Sequence, residues 1–283
     1  MISFHQDVLV EKGTATVRRC EYCDSPVPAD ATVCPVCRQV ISEETLERVL
    51  PLLKRPHAPE VRAMSTMERL WGVIRRPGPT YRDIGQRPDG AGPLMIVMMN
   101  ALVLVGFFLI ISSKFTVPVV VNGTPIDISV LDSNLAGPYY GTALASIVPN
   151  IMIGMVYLFL GSLFAHIAFK VTGGTGRLFK TLSIVGYSMM PVFLFRLIGL
   201  LVVSLVMPSY AVQNVSSWPS VIGSIYGSDV WLILDYMTTA AFVWVGFLLT
   251  LGIREAHDTS TIWAFIVSVA CMIVLGWTFW QAH

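Results

Sequence analysis

The chain has 283 residues, with 19 Lys and Arg against 18 Asp and Glu and a formal net charge of +1, a balance that calls for neither nucleic acid nor an acidic substrate. Only 13% of its residues are charged and 54% are hydrophobic, with a mean hydropathy of +0.66, whereas an ordinary soluble domain carries about 25% charged residues. This excludes a soluble enzyme and implies two solvents, water around a charged front section and lipid around the apolar remainder.

No apolar core with a small-residue cleavage site follows Met1, so the front section is expected to stay in the cytoplasm. Residues 1–41 read as a small β-rich zinc ribbon. Strand-like pieces, Asp7 to Val10 and Thr14 to Arg18, precede Cys20-x2-Cys23 and Cys34-x2-Cys37. Two such knuckles bring four thiolates to one tetrahedral site, and Zn2+ supplies the folding energy that so short a segment cannot draw from a core. Disulfides are the competing reading, but they need an oxidising compartment that a cytoplasmic head lacks. Closed four-thiolate coordination leaves no position for a reacting water, so the metal is structural.

Residues 42–64 read as a linker with a short amphipathic helix from Ser42, interrupted at Pro51 and continued by a Pro-rich stretch to Pro59. In residues 65–92, Ser65 and Glu68 form a capping box, and Met67, Leu70, Trp71 and Ile74 share one helical face with Arg69, Arg75 and Arg76 elsewhere on the wheel. Leu70, Trp71, Ile74, Arg75 and Arg76 suit the headgroup boundary of a bilayer with anionic lipids. Packing of the same face on protein is the alternative. A second basic segment, Thr80 to Arg87, leads to the first span.

Residues 93–283 carry five apolar segments, Pro93 to Ile111, Tyr139 to Phe169, Thr181 to Met207, Val230 to Leu251 and Ile262 to Trp280. Each reaches the roughly 17–25 residues that a helix needs to cross hydrocarbon, where backbone amides must be satisfied within the segment. The fold class expected is an all-α transmembrane bundle of five helices with the small zinc ribbon at its front. Pro149 and Pro191 are expected to kink their helices. All Lys and Arg except Lys114 and Arg196 fall on one side of this layout. That favours a multi-pass protein of the cell membrane with a cytoplasmic N-terminus and an extracytoplasmic C-terminus. Two sequons, at Asn122 and Asn214, land in the loops assigned to the outside. Alternation on both sides of Asn122-Gly123 predicts a β-hairpin there.

Arg196 and Asp235 are costly inside a membrane. Run antiparallel, both fall in the same half of the bilayer, as an ion pair locking two helices or as part of a solute or ion pathway. Asp229 is a second possible partner, nearer the surface. His166 falls near the inner end of its span and reads as an interfacial residue, and Cys271 as a small hydrophobe. Gly173-Gly174-Thr175-Gly176 lacks the Lys-Ser/Thr ending of a phosphate loop and reads as a tight turn. Gly154, Gly161, Gly186 and Gly199 permit close helix contact. No H-E-x-x-H or G-x-S-x-G is present, so no catalytic residue is assigned.

Four pieces in order around the spans resemble the Yip-domain family of multi-pass membrane proteins, named for interaction with Ypt/Rab GTPases. They are Arg75 to Ile84 (RRPGPTYRDI), Gly173-Gly174, Leu182 to Pro191 (LSIVGYSMMP) and Gly252 to His257 (GIREAH). With the zinc ribbon added, the chain looks like a prokaryotic member. The resemblance implies a membrane organiser or adaptor whose ribbon recruits an unknown cytoplasmic protein, related by analogy to vesicle trafficking and membrane shaping. A small-solute or ion transporter using Arg196 and Asp235 is the alternative, and homo-oligomerisation is compatible with either.

Overall fold

The computed structural model describes residues 17–20, 23–28, 31, 33–39, 63–171, 176–212, 218–257 and 259–281. The helix expected from Ser42, the Pro-rich linker, the strand expected at Asp7 to Val10 and Gly173-Gly174 lie outside them. The chain divides into two compact units, Met1–Glu60 and Val61–His283.

In the first unit, β1 (Val17–Arg19) pairs antiparallel with β2 (Pro26–Pro28). Each cysteine pair closes a turn of the same form. Asp24 N–H donates to the Cys20 carbonyl and Arg38 N–H to the Cys34 carbonyl, both at 2.9 Å. Asp24 and Arg38 occupy equivalent places in the two turns and both take the left-handed conformation, at φ 54° and 56°. The buried centre of this unit is Val27 with Cys20 and Cys34.

The second unit opens with α1 (Thr66–Arg75), started by the expected capping box: Ser65 N–H donates to Glu68 Oε2 at 2.8 Å and Glu68 N–H to Ser65 Oγ at 3.3 Å. The stretch expected to be a basic lead-in is instead a second helix, α2 (Pro77–Gln86), with Pro77 in its first turn, where the missing N–H costs nothing. Then follow α3 (Ala91–Ser113), β3 (Phe115–Val121), β4 (Thr124–Ser129), α4 (Ala136–Ala145), α5 (Ile147–Val171), α6 (Leu178–Ser188), α7 (Met190–Val206), β5 (Tyr210–Ala211), α8 (Trp218–Tyr226), α9 (Asp229–His257) and α10 (Thr261–Gln281).

Among the described residues, four apolar stretches are long enough to cross a bilayer: Ala91–Ser113, Ala136–Val171, Leu178–Val206 and Asp229–Glu255. Four of the five expected spans are thus found by this criterion. The fifth segment does form a helix, α10, but its described apolar part, Thr261–Trp277, is shorter than the others. Both prolines interrupt their spans as expected. α4 gives way to α5 at Ser146, just ahead of Pro149, and α6 to α7 at Met189, just ahead of Pro191. A proline at either place cannot donate back to the preceding turn.

Leu158, Phe169, Val185, Val245, Leu249 and Val267 centre the core of the bundle. The outward surface is apolar as well: Tyr157, Leu205 and Val243 are 70%, 82% and 71% exposed. Water would penalise that arrangement, and hydrocarbon does not.

At one end of the bundle the predicted hairpin is present, with Val121 opposite Thr124. Asn122 and Gly123 both have positive φ, 54° and 82°, as a two-residue turn matched to strand twist requires. β5 adds in parallel to β3, and Lys114 Nζ donates to the Ser204 carbonyl at 2.7 Å. At the other end α3 and α6 approach so closely that Gly92 and Gly186 have no room for side chains. A Cβ on Gly92 would overlap the Tyr187 ring, and one on Gly186 would overlap Pro93. Gly92→Ala is expected to cost about 1–3 kcal/mol through overpacking, read as a lower apparent Tm of the detergent-solubilised protein. An unchanged Tm would show that this contact is looser than the structure has it.

Candidate functional site

The end of the bundle opposite the hairpin is where charge is buried. α2 is the centre of it: Thr80, Tyr81, Asp83, Ile84 and Gly85 are consecutive or nearly so, and all are buried. A helix lying on a surface hides one stripe, so burial around α2 means that it is enclosed by neighbours, here α1, α6 and α9. Tyr81 reaches α6, where its hydroxyl is 2.7 Å from Ser188 Oγ, and burial pushes the phenol well above its usual range. Gly252 of α9 makes room for it, since a Cβ there would strike Ile184 and Tyr81. Gly85 passes the Glu255 backbone with its Cβ position 3.2 Å from the carbonyl oxygen.

Arg69 projects from α1 into this end of the bundle, and its side chain is only 6% exposed. Its Nε donates to Asp83 Oδ2 at 2.8 Å and its Nη1 to Asp89 Oδ2 at 2.6 Å. Burial by itself would lower the Arg69 pKa, but the hydrogen bond and charge of Asp83 and the charge of Asp89 outweigh it and raise the pKa above its ordinary value. Each carboxylate is held further. Met64 N–H donates to Asp83 Oδ2 at 3.3 Å, and Arg87 Nη1 stands 4.0 Å from Asp83 Oδ1. Tyr187 Oη lies 3.1 Å from both Asp89 oxygens, and Ser183 Oγ donates to the Asp89 carbonyl at 2.5 Å. One network thus ties α1, α2, the start of α3 and α6.

A second charged group closes the opposite side of α2. Glu255 accepts from Arg254 Nη2 at 3.3 Å, and Arg82 Nε lies 3.6 Å from Glu255 Oε2. Arg254 is 2% exposed, and its Nη1 reaches Thr261 Oγ1 at 3.4 Å, spanning the turn from α9 to α10. An arginine in the last turn of α9 also meets the negative end of the helix dipole.

Three of the four sequence pieces singled out above therefore converge: Tyr81, Arg82 and Asp83 from the first, Ser183 to Ser188 from the third, Gly252 to Glu255 from the last. Their order along the chain reflects a common meeting place in the fold. A comparison with family models points the same way, with the Yip1 domain matching residues 71–281. The chain belongs to the Yip1-domain family. Comparison with curated proteins and with solved structures gives no match.

In this Yip1-domain chain the surface expected of α1 is divided. Leu70 and Val73 are buried, whereas Met67 and Trp71 are 63% and 52% exposed, with the Arg75 guanidinium 4.6 Å above the Trp71 ring. Leu70 is thereby removed from the headgroup-facing set, because the Arg69 ion pairs rotate its side of the helix onto the bundle. Ile74 is half-buried, and Arg75 and Arg76 are exposed. Arg69, which the wheel placed among polar neighbours, is the deepest charge on the helix.

Arg196 and Asp235 come to the same place, a cavity among α3, α7 and α9. The hydrogen bond of Arg196 goes to Asn100 Oδ1, at 3.1 Å from Nη1, a partner from the first span that sequence inspection passed over. His166 Nδ1 is 3.0 Å from Thr181 Oγ1 on the neighbouring helix, and Cys271 packs against the bundle core.

In the front unit, Cys20, Cys23, Cys34 and Cys37 place their Sγ atoms within 4.8 Å of one another, and all are free thiols. Cys20 and Cys37 are 3.6 Å apart, and Cys23 and Cys34 3.7 Å. A tetrahedral zinc with Zn–S bonds of about 2.3 Å sets ligand sulfurs roughly 3.8 Å apart, close to the spacing of these two pairs, so the donor set suits a metal ion. Side-chain and backbone hydrogen bonds from Ser25 lower the Cys23 thiol to about 6, whereas Cys37, despite a backbone hydrogen bond at Gln39, is pushed up to about 12 by burial and by the neighbouring thiols.

Removing one member of a buried ion pair leaves the other uncompensated, at a cost of about 3–5 kcal/mol. Arg69→Met is therefore expected to lower the apparent Tm and to expose the α1–α2 connection to protease. Arg69→Met with Asp83→Leu is expected to recover part of the loss. Wild-type protease resistance in the single variant would show that the network does not hold α1.

Proposed function

We propose that this protein is an integral membrane adaptor or organiser. Its metal-stapled ribbon recruits a cytoplasmic protein, and its helical bundle holds the recruited partner at the cell membrane. The chemistry is non-enzymatic. The observation that carries this reading is the state of α1: one face is locked to the bundle by Arg69, while the opposite face leaves Met67 and Trp71 exposed beside Arg75. An aromatic ring under a guanidinium suits the boundary between acyl chains and anionic headgroups. α1 then serves as a fixed shelf at headgroup depth, directly after the stretch that leads from the ribbon.

The charge pattern supports a cytoplasmic ribbon. Arg69, Arg75, Arg76, Arg82, Arg87 and Arg254 gather at the α1–α2 end, and Lys114 at the hairpin end. α10 serves as a fifth crossing in this reading. Phe265, Ile273 and Trp277 are exposed along it, as lipid contact requires, and it carries the C-terminus to the hairpin side. Zinc in the ribbon is structural, since four thiolates complete its coordination.

Metal analysis of the purified protein should return one zinc per chain, and Cys34→Ser should abolish it while leaving the helical circular dichroism in place. Absence of metal from the wild-type protein removes the stapled ribbon. Crosslinking in native membranes should capture a specific partner with the full chain and lose it when the ribbon is deleted. The same partners in both samples would end the recruitment reading. A nitroxide at Met67→Cys is expected to report headgroup depth, and a reading in bulk water would detach α1 from the membrane.

A further inference from the structure

The hairpin at one end of the bundle is anchored at its base and open at its tip. At the base, Phe115 and Val130 are 7% and 2% exposed and pack in one apolar cluster with Val203 and Met207. Tyr210 N–H donates to the Lys114 carbonyl at 2.7 Å and Val212 N–H to the Thr116 carbonyl at 2.8 Å, so β5 clamps the first residues of β3. The 7 residues of β3, at about 3.4 Å each, then carry the chain roughly 24 Å along the strand to the turn. Asn122, Gly123 and Thr124 are all exposed there, and a Cβ added to Gly123 would meet nothing within 4 Å.

This tip is more apolar than a water-facing hairpin should be. Val120 and Ile126, on the two sides of the turn, are 70% and 48% exposed. β4 is also an edge strand, since the sheet runs in the order β4-β3-β5. An open edge with apolar side chains beside it invites pairing with another chain, and a bulky polar group at the tip would hinder that.

The turn carries an acceptor for such a group. Asn122-Gly123-Thr124 is an N-x-S/T sequon whose middle residue is not proline. Turn geometry by itself accounts for Asn122 and Gly123, because both positions need positive φ. It does not account for Thr124. Many residues can open a strand after such a turn, whereas only serine or threonine completes the sequon.

We propose that Asn122 is an N-glycosylation site whose glycan covers the apolar tip of the hairpin and the outer edge of β4. The inference rests on the orientation proposed above, which puts the hairpin on the extracytoplasmic side. Asn122 Nδ2 forms a bond to the anomeric carbon of a sugar carried on a lipid pyrophosphate. The bond from that carbon to the pyrophosphate oxygen breaks, the lipid pyrophosphate leaves with the electron pair, and the amide gives up one proton. A membrane glycosyltransferase performs the transfer, with this chain as its substrate.

The test is glycopeptide mapping of the full chain purified from the membranes of its native cell. The expected result is a sugar mass on Asn122 that is lost in Asn122→Gln and Thr124→Ala and kept in Thr124→Ser. Thr124→Ala leaves the Asn-Gly turn in place, so its loss of sugar separates the sequon from the fold. Unmodified Asn122 in the wild-type chain overturns the proposal, as does a glycan confined to Asn214. Labelling of Asn122→Cys on intact cells with a membrane-impermeant maleimide then tells the two readings apart. Labelling above the wild-type background leaves the orientation standing and removes only the glycan, and protection removes both. The glycan-free Thr124→Ala chain should self-associate more than wild type in detergent, and equal association would remove the covering role.

Discussion

The arrangement of the membrane domain depends on one buried cation. Arg69 enters the bundle from a helix that lies before the first span, and it is kept charged there by Asp83 and Asp89. Without those carboxylates, desolvation would expel it. With them, α1 cannot lie loosely along a membrane surface, because its rotation is fixed by where Arg69 must point. Tyr187 and Ser183 hold Asp89 from α6, so the same constraint reaches the third apolar stretch of the chain.

α2 turns this local pairing into an assembly. Its flanking residues Arg82 and Asp83 point to different partners, Glu255 on one side and Arg69 on the other. Tyr81, the residue before them, is fully enclosed against Ser188. Small residues at Gly85, Gly92, Gly186 and Gly252 let the backbones come near enough for these side chains to meet. In a bilayer, where apolar association between helices gains little over contact with lipid, close packing and buried polar contacts are the terms left to specify an arrangement. Among the described residues, buried charge gathers at the α2 end and hydrogen-bonded strands at the other.

The two units solve the problem of a small core in different ways. Among its described residues the front unit buries Val27 with Cys20 and Cys34 and brings four thiols together. The membrane unit has apolar surface in excess and leaves much of it outward, where lipid is an equivalent solvent. What they share is a dependence on a few polar contacts for a defined geometry. Four converging thiols serve that purpose in one, and the Arg69 network serves it in the other.

Sequence alone determined the features that are local. The Cys-x2-Cys spacing, the Ser65 capping box, the Asn122-Gly123 turn, the proline breaks and the apolar stretches each depend on residues a few positions apart, and the chemistry of such neighbours is fixed before folding. Tertiary structure decided the partners. Arg69 meets Asp89 across 20 positions, and Asp89 meets Tyr187 across 98. Nothing in a helical wheel distinguishes an arginine that faces headgroups from one that faces a buried carboxylate, since both occupy the same periodic position. For the same reason Leu70 read as lipid-facing and proved internal, and Asn100 was invisible as the partner of Arg196. Periodicity gives a side chain its direction around a helix axis, and only the packing of other helices says what lies in that direction.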